Sequence, residues 1–581
     1  MLSPKLSFWI EPADPRRNLR IIRGIFWLVT ICAGFLQAWA ARFFVSPDGN
    51  CYLDVASAYL RGDVKNAVNA YWSPLFSWLL ALCLAVFRPS PYWESTLLHL
   101  LNFAALLVAL RCFEFFFRAF LRMRHISSQA DEAMDVLTEL GWWTLGYGLF
   151  LSTLVLVLSV KVTTPDVWVA AFTFLAAGLV LRIQTNRGGW HLFAALGVIL
   201  GCAYLTKTFY FLLSFVFLPA AWMATENLRK TAKLFTLALV AFLLIAGPWV
   251  ATLSRAKHRV TFGDVGKLAF AAMIDNIPQP FFWQGEDGTG TPRHPVRKLL
   301  EKPRLFEFAT PINGTYPPAY DLSYWMEGVR PHFSWAGQLR VLRQSAGTFF
   351  QIGLTQIEFG VVLLAFLFLS WGNPDWLLHL REQPYLWIPA LIACSSYALV
   401  LVENRYVAPF VLLLWLAAFS SLLGTASHIS QRAAIALVLA VVSVTGLRLT
   451  KSAVSDVAAI LSNQQHAAWA VAEKLRGLGI QPGDKVSGLS HVADAHWARL
   501  AGVKIVSEIP LGDEGLFWSA PPDQKRKVFE AFAATGAKIV VTKDPPVGAN
   551  KDGWIPLGRT GFYAYLLRPP DPASKETGPT Q

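Results

Sequence analysis

Charge is scarce in this chain. Only 15% of its 581 residues are Asp, Glu, Lys or Arg, where a soluble protein carries about 25%. That shortage leaves too little polar surface for the several soluble domains a chain of this length would otherwise form. It excludes a cytoplasmic enzyme, a secreted β-protein and a disordered scaffold. Cysteine is equally sparse, six in all. Cys32, Cys83, Cys112, Cys202 and Cys394 lie in apolar tracts, where packing as small hydrophobes is the default. Cys51 alone sits in a loop, and the regions Ala251–Ser345 and Ser452–Gln581 have none, so they fold without disulfides. The chain also lacks HExxH, C-x-x-C, histidines at metal spacing, G-x-G-x-x-G and a P-loop. Nucleotide binding therefore has no support.

What is present is apolar: 54% hydrophobic and 14% aromatic residues, with a mean hydropathy of +0.41. The polar residues fall in a few loops, and the tracts between them run for roughly 16 to 26 residues, the length that spans a bilayer as helix. The expected fold is an all-α polytopic membrane protein with about 11–13 transmembrane helices, running from Ile21–Phe44 to Ala433–Leu447. Arg16, Arg17, Arg20 and Arg23 precede the first of them, which we read as an uncleaved helix starting inside. The small-x-small site Ala38-Trp-Ala40 leaves a cleaved signal peptide as the alternative.

The net charge of +13 invites a nucleic-acid reading. No folded soluble segment carries a basic patch of the needed density, so no nucleic acid is expected as partner. Much of the surplus sits in short loops, at Arg118, Arg122, Arg124, Arg182, Arg187, Arg229, Lys230, Lys233, Arg381 and Arg432, where positive-inside bias places it on the cytoplasmic side. All of these are inside only if one segment between Phe44 and Arg118 fails to cross. Ser73–Phe87 is the shortest and follows Ser-Pro, which suits a re-entrant or interfacial helix. An ordinary hairpin with Leu97–Phe117 is the competing solution. On the first solution an outer loop 45–72, the hairpin 163–166, Lys207, the long loop 251–345, the Asn404-Arg405 junction and the tail all face outward.

Residues 453–570 read as a small extracytoplasmic α/β accessory domain, and 571–581 as a disordered tail. Strands are expected at Lys485–Leu489, Val503–Ile509, Ala537–Thr542 and Phe562–Leu567, with helices at His466–Arg476, Val492–Leu500 and Lys525–Thr535. Residues 1–450 would form the catalytic transmembrane domain.

Several polar residues are out of place in a membrane protein. Asp48 lies just past the first helix, followed by Tyr52 and Asp54; a carboxylate at a membrane surface is placed to act as base, or is simply a solvated loop acid. Asp166 closes the tight apolar hairpin Thr163-Thr164-Pro165-Asp166 and wants a partner or a ligand, unless it caps a helix. Lys207 interrupts "AYLTKTFYF" and calls for an anion such as a lipid phosphate, with snorkelling as the rival account. Arg405 suits phosphate oxygens, or pairs with Glu403. In the long loop Tyr316, Tyr320, Tyr324, Trp325, Phe333 and Trp335 mix with Asp321, Glu327, Arg330 and His332, a pattern for membrane-interface anchoring or a carbohydrate-facing lid. Asp48, Asp54 and Asp166 would also be hard-cation ligands, so a divalent cation stays open as cofactor.

In their order, these residues resemble the GT-C superfamily of membrane glycosyltransferases, nearest to the bacterial family of protein O-mannosyltransferases and the lipid A aminoarabinose transferase. The likeness covers roughly residues 20–425. It runs through Asp48-Gly49-Asn50-Cys51-Tyr52, Gly62-Asp63, Ser73-Pro74-Leu75, Asp166, the "L-T-K" ending at Lys207, and Arg405-Tyr406-Val407-Ala408-Pro409. The resemblance implies Asp48 and Asp166 as catalytic acids, Asp48 being the base and Asp166 the second outer-face acid, and Lys207 and Arg405 as donor-phosphate ligands. It also implies a polyprenyl-phosphate-linked sugar donor, an unspecified glycan, lipid or protein acceptor, contact with membrane lipids, and a bacterial inner-membrane location with the site and tail on the periplasmic side. Gly49, Cys51 and Trp72-Ser73-Pro74 depart from the family pattern, where Glu, Arg and a Lys before Pro-Pro-Leu are usual. One phosphate contact is missing, so aminoarabinose transfer is not carried over. A non-catalytic assembly subunit and a lipid or polysaccharide transporter are the rival functions; no internal repeat favours the transporter.

Overall fold

The computed structural model describes Trp9 and residues 14–130, 136–185, 189–277, 280–308, 310–369, 376–425, 430–462, 466–489 and 494–568. The expected disordered tail 571–581 and Arg187 lie outside the described residues, as do residues 492 and 493 of one expected helix. The chain divides into two units. One comprises 1–42, 98–263 and 334–463, the other 43–97, 264–333 and 464–581.

The first unit is helical. Across the described residues seven helices are long and apolar enough to cross a membrane: Pro15–Ala40, Pro91–Ile126, Glu139–Leu158, Asp166–Thr185, Leu228–Ala256, Asn404–Leu423 and Gln431–Leu461. The pair Trp335–Thr355 and Ile357–Phe368, bent by 83°, makes an eighth if counted as one span. Pro74–Phe87, Trp190–Thr206 and Phe209–Met223 are shorter apolar helices. By length and composition the described residues thus offer seven or eight spans, fewer than the expected 11–13. This is a multi-pass membrane protein.

Helix starts follow local chemistry. Asp14 Oδ1 accepts from the Arg17 amide at 3.0 Å, with Pro15 opening the helix. Ser46 does the same for Gly49 ahead of Pro47–Leu60. Small residues set the helix spacing. A Cβ on Gly197 would lie 2.1 Å from the Ala238 carbonyl oxygen, so the helices Trp190–Thr206 and Leu228–Ala256 touch backbone to backbone there.

The second unit holds a seven-stranded sheet. Its strands are β1 (Arg297–Glu301), β2 (Arg304–Glu307), β3 (Lys485–Leu489), β4 (Lys504–Ile509), β5 (Ile539–Lys543), β6 (Trp554–Pro556) and β7 (Phe562–Leu566), in the order β1-β2-β4-β3-β5-β7-β6. The centre β4-β3-β5 is parallel and the flanks antiparallel. Parallel centres are covered on both faces, and this one is. Ile539 and Val541 pack with Val486, Val471, Leu475 and Trp497, while Val540 faces Val528, Phe532 and Trp554. The four strands read from the tail are present, but β1 and β2 come from the long loop and extend the same sheet through β2–β4. The helix Pro74–Phe87 belongs to this unit. Its 14 residues reach about 21 Å, short of a hydrocarbon core of about 30 Å. It packs on Pro47–Leu60, where Ser77 Oγ donates to the Tyr52 carbonyl at 3.3 Å.

Candidate functional site

In the helical unit three chain junctions converge. Asp166 opens its helix directly after Thr163-Thr164-Pro165. Lys207, in extended backbone, separates the helices Trp190–Thr206 and Phe209–Met223. Arg405 is the second residue of Asn404–Thr425. Lys207 Nζ donates to Asp166 Oδ1 at 2.5 Å, Thr164 Oγ1 donates to Oδ2 at 2.7 Å, and Arg405 Nε lies 3.8 Å from Oδ2. Asp166 is 1% exposed. Burial of a carboxylate is tolerable only with such partners. The sequence expectation that this acid needs a partner is met by Lys207 and Arg405, both of which it singled out.

The cations keep some access. Lys207 and Arg405 side chains are 20% and 18% exposed. Lys207 Nζ stands 3.4 Å from the Tyr406 ring centroid, and Arg405 is 5.1 Å from the same ring. Cation–π contact spreads the charge without neutralising it. Tyr397 backs Tyr406 at 5.4 Å and Phe209 backs Tyr397 at 4.3 Å. Arg405 Nε also donates to Glu403 at 2.6 Å, so the expected pairing at that junction is present as well. The arrangement is an ammonium and a guanidinium against an aromatic wall, each paired with a carboxylate. Tyr397 was missed in the sequence, where a tyrosine within an apolar run carries no signal.

In the sheet unit Asp48 occupies the first turn of Pro47–Leu60 and is half-buried. Asp54, almost two turns on, is tied down completely. Its Oδ1 accepts from Arg499 at 2.6 Å and from Thr315 Oγ1 at 2.9 Å, and its Oδ2 from the Thr315 amide at 2.8 Å. Arg499 continues to Glu94 at 2.9 Å and Ser57 at 2.8 Å. The charged neighbours hold the Arg499 guanidinium charged against its burial. This network was missed, since a lone arginine in a soluble-looking domain reads as surface.

The aromatic stretch of the long loop is mostly interior. Tyr320 is 1% exposed; its hydroxyl donates to the Asn66 carbonyl at 2.8 Å and its own carbonyl accepts from Asn69 at 2.6 Å. Trp325 donates to the Pro317 carbonyl, and Tyr52 packs edge-on to Trp72 and Phe76. Asp321 caps the turn at Tyr324. Glu327 pairs with Arg293 and His294, and the His332 amide donates to Asp275. Arg330, His332, Phe333 and Trp335 are exposed. Tyr316, Tyr320 and Trp325 are buried in the core of the sheet unit.

Among the described residues no group of three or more His, Cys, Asp or Glu is arranged to hold a metal ion. Asp54 and Asp166 moreover already have cationic partners.

The helical architecture has a counterpart among solved structures. ArnT from Cupriavidus metallidurans in the apo state, a lipid A aminoarabinose transferase, matches at a TM-score of 0.50 with 13% identity, over 94% of this chain and 98% of that one. This chain shares the fold of that structure. Two further GT-C structures match at 13% identity. ArnT from the same organism bound to undecaprenyl phosphate has a TM-score of 0.42, over 98% of this chain and 100% of that one. The Archaeoglobus fulgidus oligosaccharyltransferase in complex with Zn and sulfate has 0.45, over 90% and 67%. No protein-family model and no curated protein sequence matches the chain. The GT-C likeness is thus one of fold, at an identity too low to carry function by itself.

Proposed function

We propose that this chain is an inverting glycosyltransferase that moves a sugar from a polyprenyl-phosphate carrier to an acceptor hydroxyl on the periplasmic face of the bacterial inner membrane. One observation carries the reading: Lys207 and Arg405, from separate helix junctions, share Asp166 and the Tyr406 ring. A lipid-linked phosphate would meet two cations whose positions are already set. The absence of any nucleotide-binding motif agrees with a lipid-borne donor.

In this mechanism Asp48 takes the proton of the acceptor hydroxyl as its oxygen attacks the anomeric carbon. The bond from that carbon to the phosphate oxygen breaks, and the carrier phosphate departs with the electron pair. Lys207 and Arg405 stabilise the charge that grows on it. A single displacement inverts the anomeric centre. Asp166 is then a positioning residue, holding the ammonium. Of the two acids on Pro47–Leu60, the GT-C resemblance assigns Asp48 to the chemistry, and Asp54 has both oxygens bonded to Thr315 and Arg499.

The test is polyprenyl-phosphate binding by purified protein and by Lys207→Ala. A hydrogen bond to a charged group contributes about 1.5–3 kcal/mol, so the variant should bind roughly 10- to 100-fold more weakly. Equal affinity in the two proteins would remove Lys207 from the donor site.

A further inference from the structure

A second charged constellation lies in the helical unit and has no part in the chemistry above. Glu114, fully buried, sits on the helix Glu94–Ala130 inside the apolar run "LRCFEFFFRAF". Its Oε1 accepts from Arg23 Nε at 2.8 Å, Trp27 Nε1 at 2.6 Å and Tyr147 hydroxyl at 2.9 Å. Its Oε2 accepts from Arg111 at 2.9 Å and Arg118 at 3.2 Å. One carboxylate thus organises three arginines, leaving the group with two net positive charges.

The arginines are not consumed by this. Their side chains are 41%, 59% and 43% exposed for Arg23, Arg111 and Arg118, and each guanidinium carries five N–H donors. A buried salt bridge alone would need one arginine, not three. On the same helix an exposed stripe runs through Ala104, Val108, Arg111, Arg118 and Arg122 at spacings of three, four and seven. Its first two turns are apolar, with Val108 41% exposed, and the rest is basic. Arg182 adds a further guanidinium 4.1 Å from the Phe115 ring. From Arg111 to Arg122 the stripe rises about 16 Å. That is a headgroup-to-chain profile: cations at one level and an apolar strip directly beside them.

We propose that Arg23, Arg111 and Arg118, organised by Glu114, bind the headgroup phosphate of an anionic phospholipid whose acyl chain lies along Ala104 and Val108. The apolar strip is what selects a lipid over soluble phosphate. Basic pockets between transmembrane helices are suited to such headgroups. This site is independent of the sugar-transfer reading.

The experiment uses the full chain in nanodiscs, with quenching of tryptophan fluorescence by brominated phosphatidylglycerol or brominated phosphatidylcholine as readout. Because the chain has 23 tryptophans, the signal read is the share of quenching that is lost in Trp143→Phe, Trp143 lying under Arg118 at 5.9 Å. The wild-type protein should prefer the anionic lipid, and Arg111→Gln and Arg118→Gln should each lower that preference about fivefold. Arg111 is the more exposed, so its variant should keep the wild-type melting temperature. Equal quenching by the two lipids in the wild-type protein would overturn the proposal without recourse to any variant. So would an undiminished preference in the double variant, or displacement of the lipid by millimolar inorganic phosphate or by stoichiometric polyprenyl phosphate.

Discussion

Tyr316 donates its phenolic hydrogen to Glu508 Oε2 across 2.6 Å, and both side chains are buried in the sheet unit. Burial pushes the Glu508 carboxyl up from about 4.5 to about 8, with the Tyr316 hydrogen bond opposing the shift in part. A carboxyl with a raised value is protonated in the folded chain while the unfolded chain has already released its proton. The stability it costs is therefore absent below about pH 4.5 and grows until about pH 8.

Thermal unfolding between pH 5 and pH 9 should show this. The sheet unit should lose stability as pH rises to about 8, by up to about 1.4 kcal/mol per pH unit from this one group, and level off above it. Glu508→Gln, which keeps the acceptor for Tyr316, should flatten the dependence. A slope unchanged in the variant would mean that other groups dominate.

Asp48 and Asp54 share a helix but should fail differently when changed to asparagine. Asp48→Asn should lower turnover of a polyprenyl-phosphate sugar by about 10²- to 10⁴-fold with an unchanged melting temperature. Asp54→Asn should lower the melting temperature instead, since it leaves the buried Arg499 with Glu94 as its one carboxylate partner. Breaking a buried pair costs roughly 3–5 kcal/mol. Measured turnover and melting curves for both variants separate a reacting acid from a structural one.

Gly197 is held against the Ala238 carbonyl. Gly197→Ala should force the two helices apart and cost about 1–3 kcal/mol by overpacking. The check is the yield and melting temperature of the monodisperse variant against Gly247→Ala, where the added Cβ meets nothing within 4 Å.

Lys230 and Lys298 are exposed residues expected on opposite sides of the membrane. Introduced as cysteines, Lys298→Cys should react with a membrane-impermeant maleimide applied from the periplasmic side, and Lys230→Cys only after the membrane is opened. The reverse pattern would invert the topology and the assignment of the site.

Asp166, Lys207 and Arg405 were legible in the sequence because a charge inside an apolar tract is expensive and stands out against its neighbours. Their mutual contact was not, since it joins three junctions far apart in the chain. Arg499, Glu508 and Thr315 left no trace, because charges are ordinary in a domain of mixed composition. The tail strands announced themselves through β-branched runs such as Ile539-Val540-Val541. The segment Arg297-Lys298-Leu299-Leu300-Glu301 does not alternate, and only pairing with its neighbour makes it a strand. The loop tyrosines and tryptophans were visible, but composition alone does not distinguish an aromatic that meets lipid from one that closes a core.

Strand β2 is made early and its partner β4 late, roughly two hundred residues further along the chain. At a synthesis rate of about 5–20 residues per second the unpaired edge would wait on the order of 10–40 s. An open strand edge is a template for wrong pairing. A later-made segment therefore shields an earlier one, and a polypeptide terminated before Lys504 would present this edge to the cell's proteases and chaperones.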